Sequence, residues 1–280
     1  MTQMKIDEIH AVNLDILKHL DAFCKAHGIR YWLSSGSCLG AVRHHGFIPW
    51  DDDADVSMPR PDYERFLKEY VDSDEYHFFA PEKCDSFLTY GRLCEMKRTF
   101  FKPCAPWTPA EYVSGIGVDI FPMDGTDDDE AKYRAVADDC RRLRERIIHE
   151  RGWLNHQVYR RDVWGFCKDV VHGAVRVWRR FGAVLRIRRM LDLFRQKATA
   201  RNYDESTTCD ELCCIGNPNA HPYKTECFRD VEYVEYCDTL LPIPKGYDAY
   251  LKKCYGDYMT PPPPEKRGGH TYQTMYWRDK

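Results

Sequence analysis

Residues 36–56 read GSCLGAVRHHGFIPWDDDADV, from Gly36 to Val56, and place Asp51, Asp52, Asp53 and Asp55 within five positions. In an extended strand Asp51, Asp53 and Asp55 project to one side about 6–7 Å apart. Their like charges repel unless something positive stands between them. A divalent cation relieves that repulsion, and carboxylate oxygens favour Mg²⁺ or Mn²⁺. An acid run is more often a solvated turn. Two features favour the metal reading: the run is bounded by apolar Ile48, Trp50, Val56 and Met58, and another acid, Asp119, sits inside Val118-Asp119-Ile120. An acid flanked by apolar strand residues needs a polar cleft to face.

Upstream, Gly36-Ser37 closes a short strand (29–33) and opens a helix (38–44), the geometry that turns backbone N–H groups toward a phosphate. Alone, a Gly-Ser pair is more often just a turn. Joined to a downstream Asp-x-Asp strand (53–58) and a third strand acid, it forms a constellation. The turn holds nucleotide phosphates, the paired acids hold metal, and the third acid ligates metal or takes a proton from an attacking hydroxyl. Arg43, His44 and His45 beside the acid strand, and Arg92, Lys97 and Arg98 further on, are candidate cations for phosphate charge. For His44 and His45 an exposed helix end is the plainer alternative, and for the later trio a solvated strand face.

Further from this core, Ile6, Ile9, Leu14, Leu17, Leu20 and Phe23 recur at helical spacing before Gly28, which predicts an amphipathic helix over 4–27. Pro61 opens a helix through Tyr70. Residues 87–98 and 113–121 read as strands, the second ending at Pro122, and 247–255 reads as a helix. The net charge of −3 is uneven. Between Arg160 and Arg201 stand twelve Lys or Arg against three acids, a local +9 that leaves −12 for the remainder. Trp164, Trp178, Phe181, Leu185, Ile187, Leu191 and Phe194 interleave with these charges and predict one or two basic amphipathic helices. Such helices pack on a core, lie on an anionic membrane surface, or grip an anionic polymer. Overall near-neutrality argues against a nucleic-acid partner. With 13 Cys, an odd and scattered set, and an N-terminus lacking a clean apolar run, reduced thiols and a cytoplasmic location are expected. Cys209, Cys213, Cys214 and Cys227 lack paired CxxC framing and read as free thiols rather than a zinc site.

The 36–56 run resembles the signature of the LicD family of phosphotransferases, which includes fukutin-type enzymes and belongs to the nucleotidyltransferase-fold superfamily. The resemblance rests on Gly36, Leu39, Gly40, Arg43, Gly46 through Asp51, Asp53 and Asp55. It extends to Val118-Asp119-Ile120-Phe121-Pro122 and to Tyr255-Gly256-Asp257-Tyr258 with its prolines. Tyr236-Cys237 departs from the Phe-Glu that family members often carry, and the basic middle is unmatched. Fifteen residues separate Ser37 from Asp53, longer than is usual in the superfamily but the same insertion that LicD-like sequences show.

The resemblance implies an α+β fold: a nucleotidyltransferase-like core with a small mixed sheet flanked by helices, plus a basic helical insertion. The expected organisation is a catalytic core at 1–140, the insertion at 141–201 and a C-terminal part at 202–280 packing on the core. It implies transfer of a substituted phosphate, such as phosphocholine or ribitol phosphate, from a CDP-activated donor to a hydroxyl of a cell-surface glycan or lipid-linked saccharide, with release of CMP. Carried onto this chain, Asp53, Asp55 and Asp119 become the metal-binding and catalytic carboxylates, with Asp51 and His44 auxiliary. Gly36, Ser37, Arg43 and Lys97 become the donor-phosphate residues. Transfer of an NMP group, or a non-enzymatic membrane scaffold, are the alternative readings. Peripheral contact with the inner face of an anionic membrane is expected through 160–201.

Overall fold

The computed structural model describes residues 2–83, 86–101, 115–154, 182–215, 221–268 and 275–278. The 3.6-residue apolar period near the N-terminus becomes α1 (Ile6–His27), which buries Ile9, Val12, Ile16, Leu17, Leu20 and Cys24 and stops at Gly28 with a left-handed φ of 61°. Before it lies β1 (Thr2–Gln3). After it the chain forms β2 (Trp32–Leu33), α2 (Ser35–His44), β3 (Asp55–Pro59), α3 (Arg60–Glu69), β4 (Tyr76–Phe79), β5 (Gly91–Glu95), β6 (Thr99–Phe101) and β7 (Gly117–Thr126). Next come α4 (Glu130–Leu154), a helix at 182–198 (α5), β8 (Thr208–Asp210), β9 (Tyr223–Lys224), β10 (Val231–Tyr236), β11 (Thr239–Pro244), α6 (Tyr247–Tyr255) and β12 (Met275–Trp277).

The main sheet is mixed, with order β2-β3-β7-β5-β4; β8 adds to the far end of β7, and β9 pairs with β8. Only the β3–β7 pair is parallel, and the other pairs of this sheet are antiparallel. Helix α1 and the sheet share one apolar core that includes Ile16, Leu17, Leu20, Trp32, Val56, Met58, Leu93, Val118 and Ile120. The expected α+β class with a mixed sheet flanked by helices is therefore present.

Several expected boundaries move: the helix expected at 38–44 begins at Ser35, so Gly36 and Ser37 lie in its first turn, and the strands expected at 29–33 and 87–98 shrink to Trp32–Leu33 and Gly91–Glu95. The strand expected to stop at Pro122 runs through it to Thr126, because Pro122 falls where β5 has ended and β8 has not begun. There β7 has β3 as its only ladder neighbour, a place where a residue without an N–H is tolerated. The acid strand expected from Asp53 begins at Asp55. Asp51 through Ala54 are irregular, because side chains of α1 rather than a neighbouring strand meet the carbonyls of Asp51 and Asp52.

Within the basic segment, residues 155–181 lie outside the described residues, and the remainder contains α5. Its Ala183, Ile187 and Leu191 pack with Ile147 of α4, while Phe194 and Ala198 join a cluster with Phe121, Tyr133 and Leu212. Three of its cations and one just beyond it are spent inside the chain: Arg186 on Glu150, Arg195 on Glu64, Lys197 on Asp139 and Arg201 on Asp127. Core packing is what this helix does. Among the described residues no helix is long and apolar enough to cross a membrane.

Candidate active site

The acid loop is pinned from behind. His10 Nε2 donates to the Asp51 carbonyl at 2.6 Å, its ring stacked on Phe47, and Asn13 Nδ2 reaches the Asp52 carbonyl at 3.5 Å. From in front, the first turn of α2 is stitched to the start of β3. Ser34 N–H donates to the Asp55 carbonyl at 3.0 Å, and Asp55 N–H donates to Ser37 Oγ at 2.9 Å. Ser35, at a left-handed φ of 48°, donates its N–H to Tyr250 Oη at 2.8 Å. A Cβ at Gly36 would stand 2.7 Å from Asp51 Oδ2, so a larger residue there would push this carboxylate away. Asp51 is thus at the N-terminus of α2, where its charge suits the helix dipole, and the Gly36-Ser37 turn holds the acid loop itself.

Strand pairing then brings the acids together. In the parallel β3–β7 ladder Asp55 and Asp119 are direct register partners, and Asp119 N–H donates to the Ala54 carbonyl at 2.9 Å. From the other side of β7, Arg92 is the antiparallel partner of Asp119. Its guanidinium engages both carboxylate oxygens, Nε on Oδ1 and Nη2 on Oδ2, the latter at 3.0 Å. Loss of solvent raises the Asp55 carboxyl well above the usual range, and the charges of Asp53 and Asp119 raise it further. Negative charge around Asp55 exceeds what Arg92 balances.

Sequence reasoning weighed Arg92 evenly against a solvated strand face; the structure turns it onto Asp119. Two further groups were missed. Glu211 accepts from Ser57 Oγ, and Ser57 lies two residues beyond Asp55 on the same face of β3. Burial pushes the Glu211 carboxyl up to about 7, and its charge adds to the field on Asp55. Nothing local marked Glu211, because it arrives through the pairing of β8 with β7 across 82 to 86 residues of chain. The tyrosines Tyr90 and Tyr255 also stand in the field of the acids. Burial first, then Asp119 for Tyr90, and Cys254 followed by Asp55 and Asp51 for Tyr255, hold both phenols above their ordinary value.

The other predicted residues are placed as follows. Arg43 Nη1 donates to the Tyr258 carbonyl at 2.6 Å, linking α2 to the Gly-Asp-Tyr tail. His44 meets the Trp50 ring edge-on at 6.0 Å, and desolvation together with Arg43 lowers its pKa. Lys97 is exposed on the turn after β5, whose amides at 97, 98 and 99 donate to the buried Glu95 carboxylate. Two signature glycines serve packing. A Cβ at Gly40 would strike the Gly46 carbonyl, and one at Gly46 would stand 2.8 Å from Cys237 Sγ. Of the four expected free thiols, Cys209 and Cys213 are buried and Cys214 and Cys227 partly so; Cys213 and Cys214 place their sulfurs 3.7 Å apart.

Among the described residues no three His, Cys, Asp or Glu side chains are set as ligands around one point. The donor chemistry nevertheless fits a hard divalent cation at Asp53 and Asp55, whose oxygens are crowded by like charge. Both oxygens of Asp119 face Arg92, so Asp119 could join them only through its remaining lone pairs or after Arg92 shifts.

Residues 28–154 match the LicD/FKTN/FKRP nucleotidyltransferase domain. The lipopolysaccharide cholinephosphotransferase LicD of Haemophilus influenzae is 27% identical over 281 residues, which cover 99% of each chain. The ribitol 5-phosphate transferase FKRP of Homo sapiens is 56% identical over 34 residues, 12% of this chain and 7% of that protein. An uncharacterized protein of Rickettsia typhi is 40% identical over 95 residues, 30% of this chain and 31% of its own length. Residues 28–154 are thus a LicD/FKTN/FKRP-type domain, in a chain similar over its length to a LicD cholinephosphotransferase.

Proposed function

We propose that this protein transfers a substituted phosphate, phosphocholine or a polyol phosphate, from a CDP-linked donor to a hydroxyl of a cell-surface glycan or lipid-linked saccharide. The observation that carries the reading is the register pairing of Asp55 with Asp119, with surplus negative charge at Asp55. Two relatives bear names of the same class, one a cholinephosphotransferase acting on lipopolysaccharide and the other a ribitol 5-phosphate transferase.

Asp53 and Asp55 would hold Mg²⁺ or Mn²⁺, with Asp119 as third carboxylate and Asp51 and His44 in support. When bound, such a cation neutralises carboxylate and phosphate charge together. The acceptor hydroxyl oxygen attacks the phosphorus that bears the alcohol, the bond from that phosphorus to the CMP oxygen breaks, and CMP departs. The hydroxyl proton passes to the Asp119 carboxylate, which Arg92 keeps oriented. Arg43 and the first turn of α2, with Gly36 and Ser37, face the donor phosphates, and Lys97 is assigned to the same donor side. Such a reaction needs charge neutralisation and alignment more than covalent chemistry.

The test is incubation with Mg²⁺ and CDP-choline, CDP-ribitol or CDP-glycerol, with and without glycan acceptor, followed by CMP assay. CMP from one donor is expected; none from any would sink the reading. Pyrophosphate in place of CMP would mean NMP transfer, and function surviving Asp53→Ala would mean a scaffold. Contact of 160–201 with anionic membrane belongs to the same proposal. Flotation with anionic liposomes should exceed that of a variant depleted of its Lys and Arg between 160 and 201.

A further inference from the structure

Arg267 lies outside the matched domain, in the tail that follows the four prolines Pro261 to Pro264. Its guanidinium carbon stands 4.7 Å from the ring centroid of Trp50, the residue before Asp51. Its Nε donates to the Pro262 carbonyl at 2.8 Å. The same corner holds Arg43, whose Nη1 donates to the Tyr258 carbonyl at 2.6 Å and whose Nε lies 3.4 Å from Nδ1 of His44, which meets Trp50. Neither guanidinium is paired with a carboxylate of a described residue. Both are held by neutral carbonyls and an aromatic face. They are close enough that, after desolvation, Arg267 is the largest influence lowering the Arg43 pKa.

Two like charges with no counter-ion among the described residues cost free energy, and an anion placed between them recovers it. Guanidinium forks suit phosphate oxygens best. We propose that Arg267 and Arg43 form a clamp for the diphosphate group of the donor, with Trp50 as the platform that holds Arg267 in place. Arg267 is then a substrate-binding residue supplied by the C-terminal tail. The inference rests on reading residues 51–55 as the transfer site. Trp50 immediately precedes Asp51, so the clamp adjoins that site, and a phosphate held by the two guanidinium groups would lie next to the carboxylate cradle.

Calorimetric titration of the full chain with inorganic pyrophosphate tests it. Wild type should bind, Arg267→Gln should weaken binding about tenfold, and Arg267→Lys should weaken it less. The thermal midpoint should not move, because Arg267 is exposed and its removal opens no cavity. Trp50→Leu should weaken binding in the same direction by freeing the side chain. No pyrophosphate binding by wild type, or an unchanged Kd in Arg267→Gln, overturns the clamp. The donor assay separates the two readings. If no CDP-linked compound yields CMP while Arg267→Gln still loses pyrophosphate, the transfer reading falls and the clamp stands. If CMP forms and Arg267→Gln has an unaltered Kd for pyrophosphate, the clamp falls and the transfer reading stands.

Discussion

Strand β7 carries two aspartates, each locked to an arginine, and they serve opposite ends. Asp124 takes Arg60 Nε at 2.7 Å and Nη2 at 3.0 Å, and both residues are buried. Asp119 takes Arg92 by the same two-point contact. Around Asp124 the charge is closed: Arg60 lies between Asp124 and Glu64, Glu64 is shared with Arg195, and Asp124 has no solvent. Around Asp119 the same pair is outnumbered, because Asp55 and Asp53 bring further negative charge that Arg92 cannot balance. Identical chemistry is structural where the charges cancel; where they do not, the surplus is what the proposed cation would balance.

The strongest test of that contrast is Asp55→Asn. Loss of CMP release on the order of 10³-fold is expected, with a thermal midpoint that holds or rises, because the substitution removes like-charge repulsion. A fall in midpoint comparable to that of a core variant would make Asp55 structural and erase the distinction. Arg60→Met should destabilise by about 3–5 kcal/mol, since it leaves Asp124 charged and unpaired in the core. Chemical denaturation measures this, and adding Asp124→Asn should return much of the loss. Arg92→Gln should cost less stability, about 1–3 kcal/mol, because Asp119 retains a polar cleft. It should also lower CMP release, whereas Arg60→Met assayed below its unfolding transition should not. Equal stability losses in the two arginine variants would break the comparison.

The smallest effect concerns pH. Glu211 has a folded pKa of about 7 against an ordinary 4.5, so between these values the folded state keeps a proton the unfolded chain has released. The stabilisation is complete below about pH 4.5 and declines as pH rises through 7. Asp210, pushed up to about 6 by burial, declines over a lower window. Glu211→Gln should therefore flatten the fall of the thermal midpoint between pH 5 and 7. An unchanged slope would show that the carboxyl is not desolvated beneath Ser57.

Much of the frame was legible because its signals are local. The apolar period of α1, the glycine at its C-cap, the proline near the start of α3 and the amphipathic α6 all stand within a few turns of chain. The acids at 53, 55 and 119 stood out because charge inside an apolar strand pattern needs explaining. The short polar strand β8 was not legible: Thr-Cys-Asp has no alternation to read, and it is set by pairing with the end of β7 beyond β5. The hairpin β10–β11 was missed too, since charges and prolines interrupt its pattern. Strand expectation also overreached at Asp51 and Asp53, where His10 and Asn13 hold the backbone in a loop.

What the sequence determined by itself is composition in place: which residues carry charge, which stretches repeat at helical or strand period, and the signature run that resembles the LicD family. Only the tertiary structure decided which charges meet. Arg92 reaches Asp119 across 27 positions and Glu211 reaches Ser57 across 154. Most of the cations on α5 and just beyond it are spent on acids of neighbouring elements. The reason is physical. A carboxylate's role depends on the net charge and solvent within a few ångströms, and sheet register and helix packing set those neighbours across chain distances no local pattern spans.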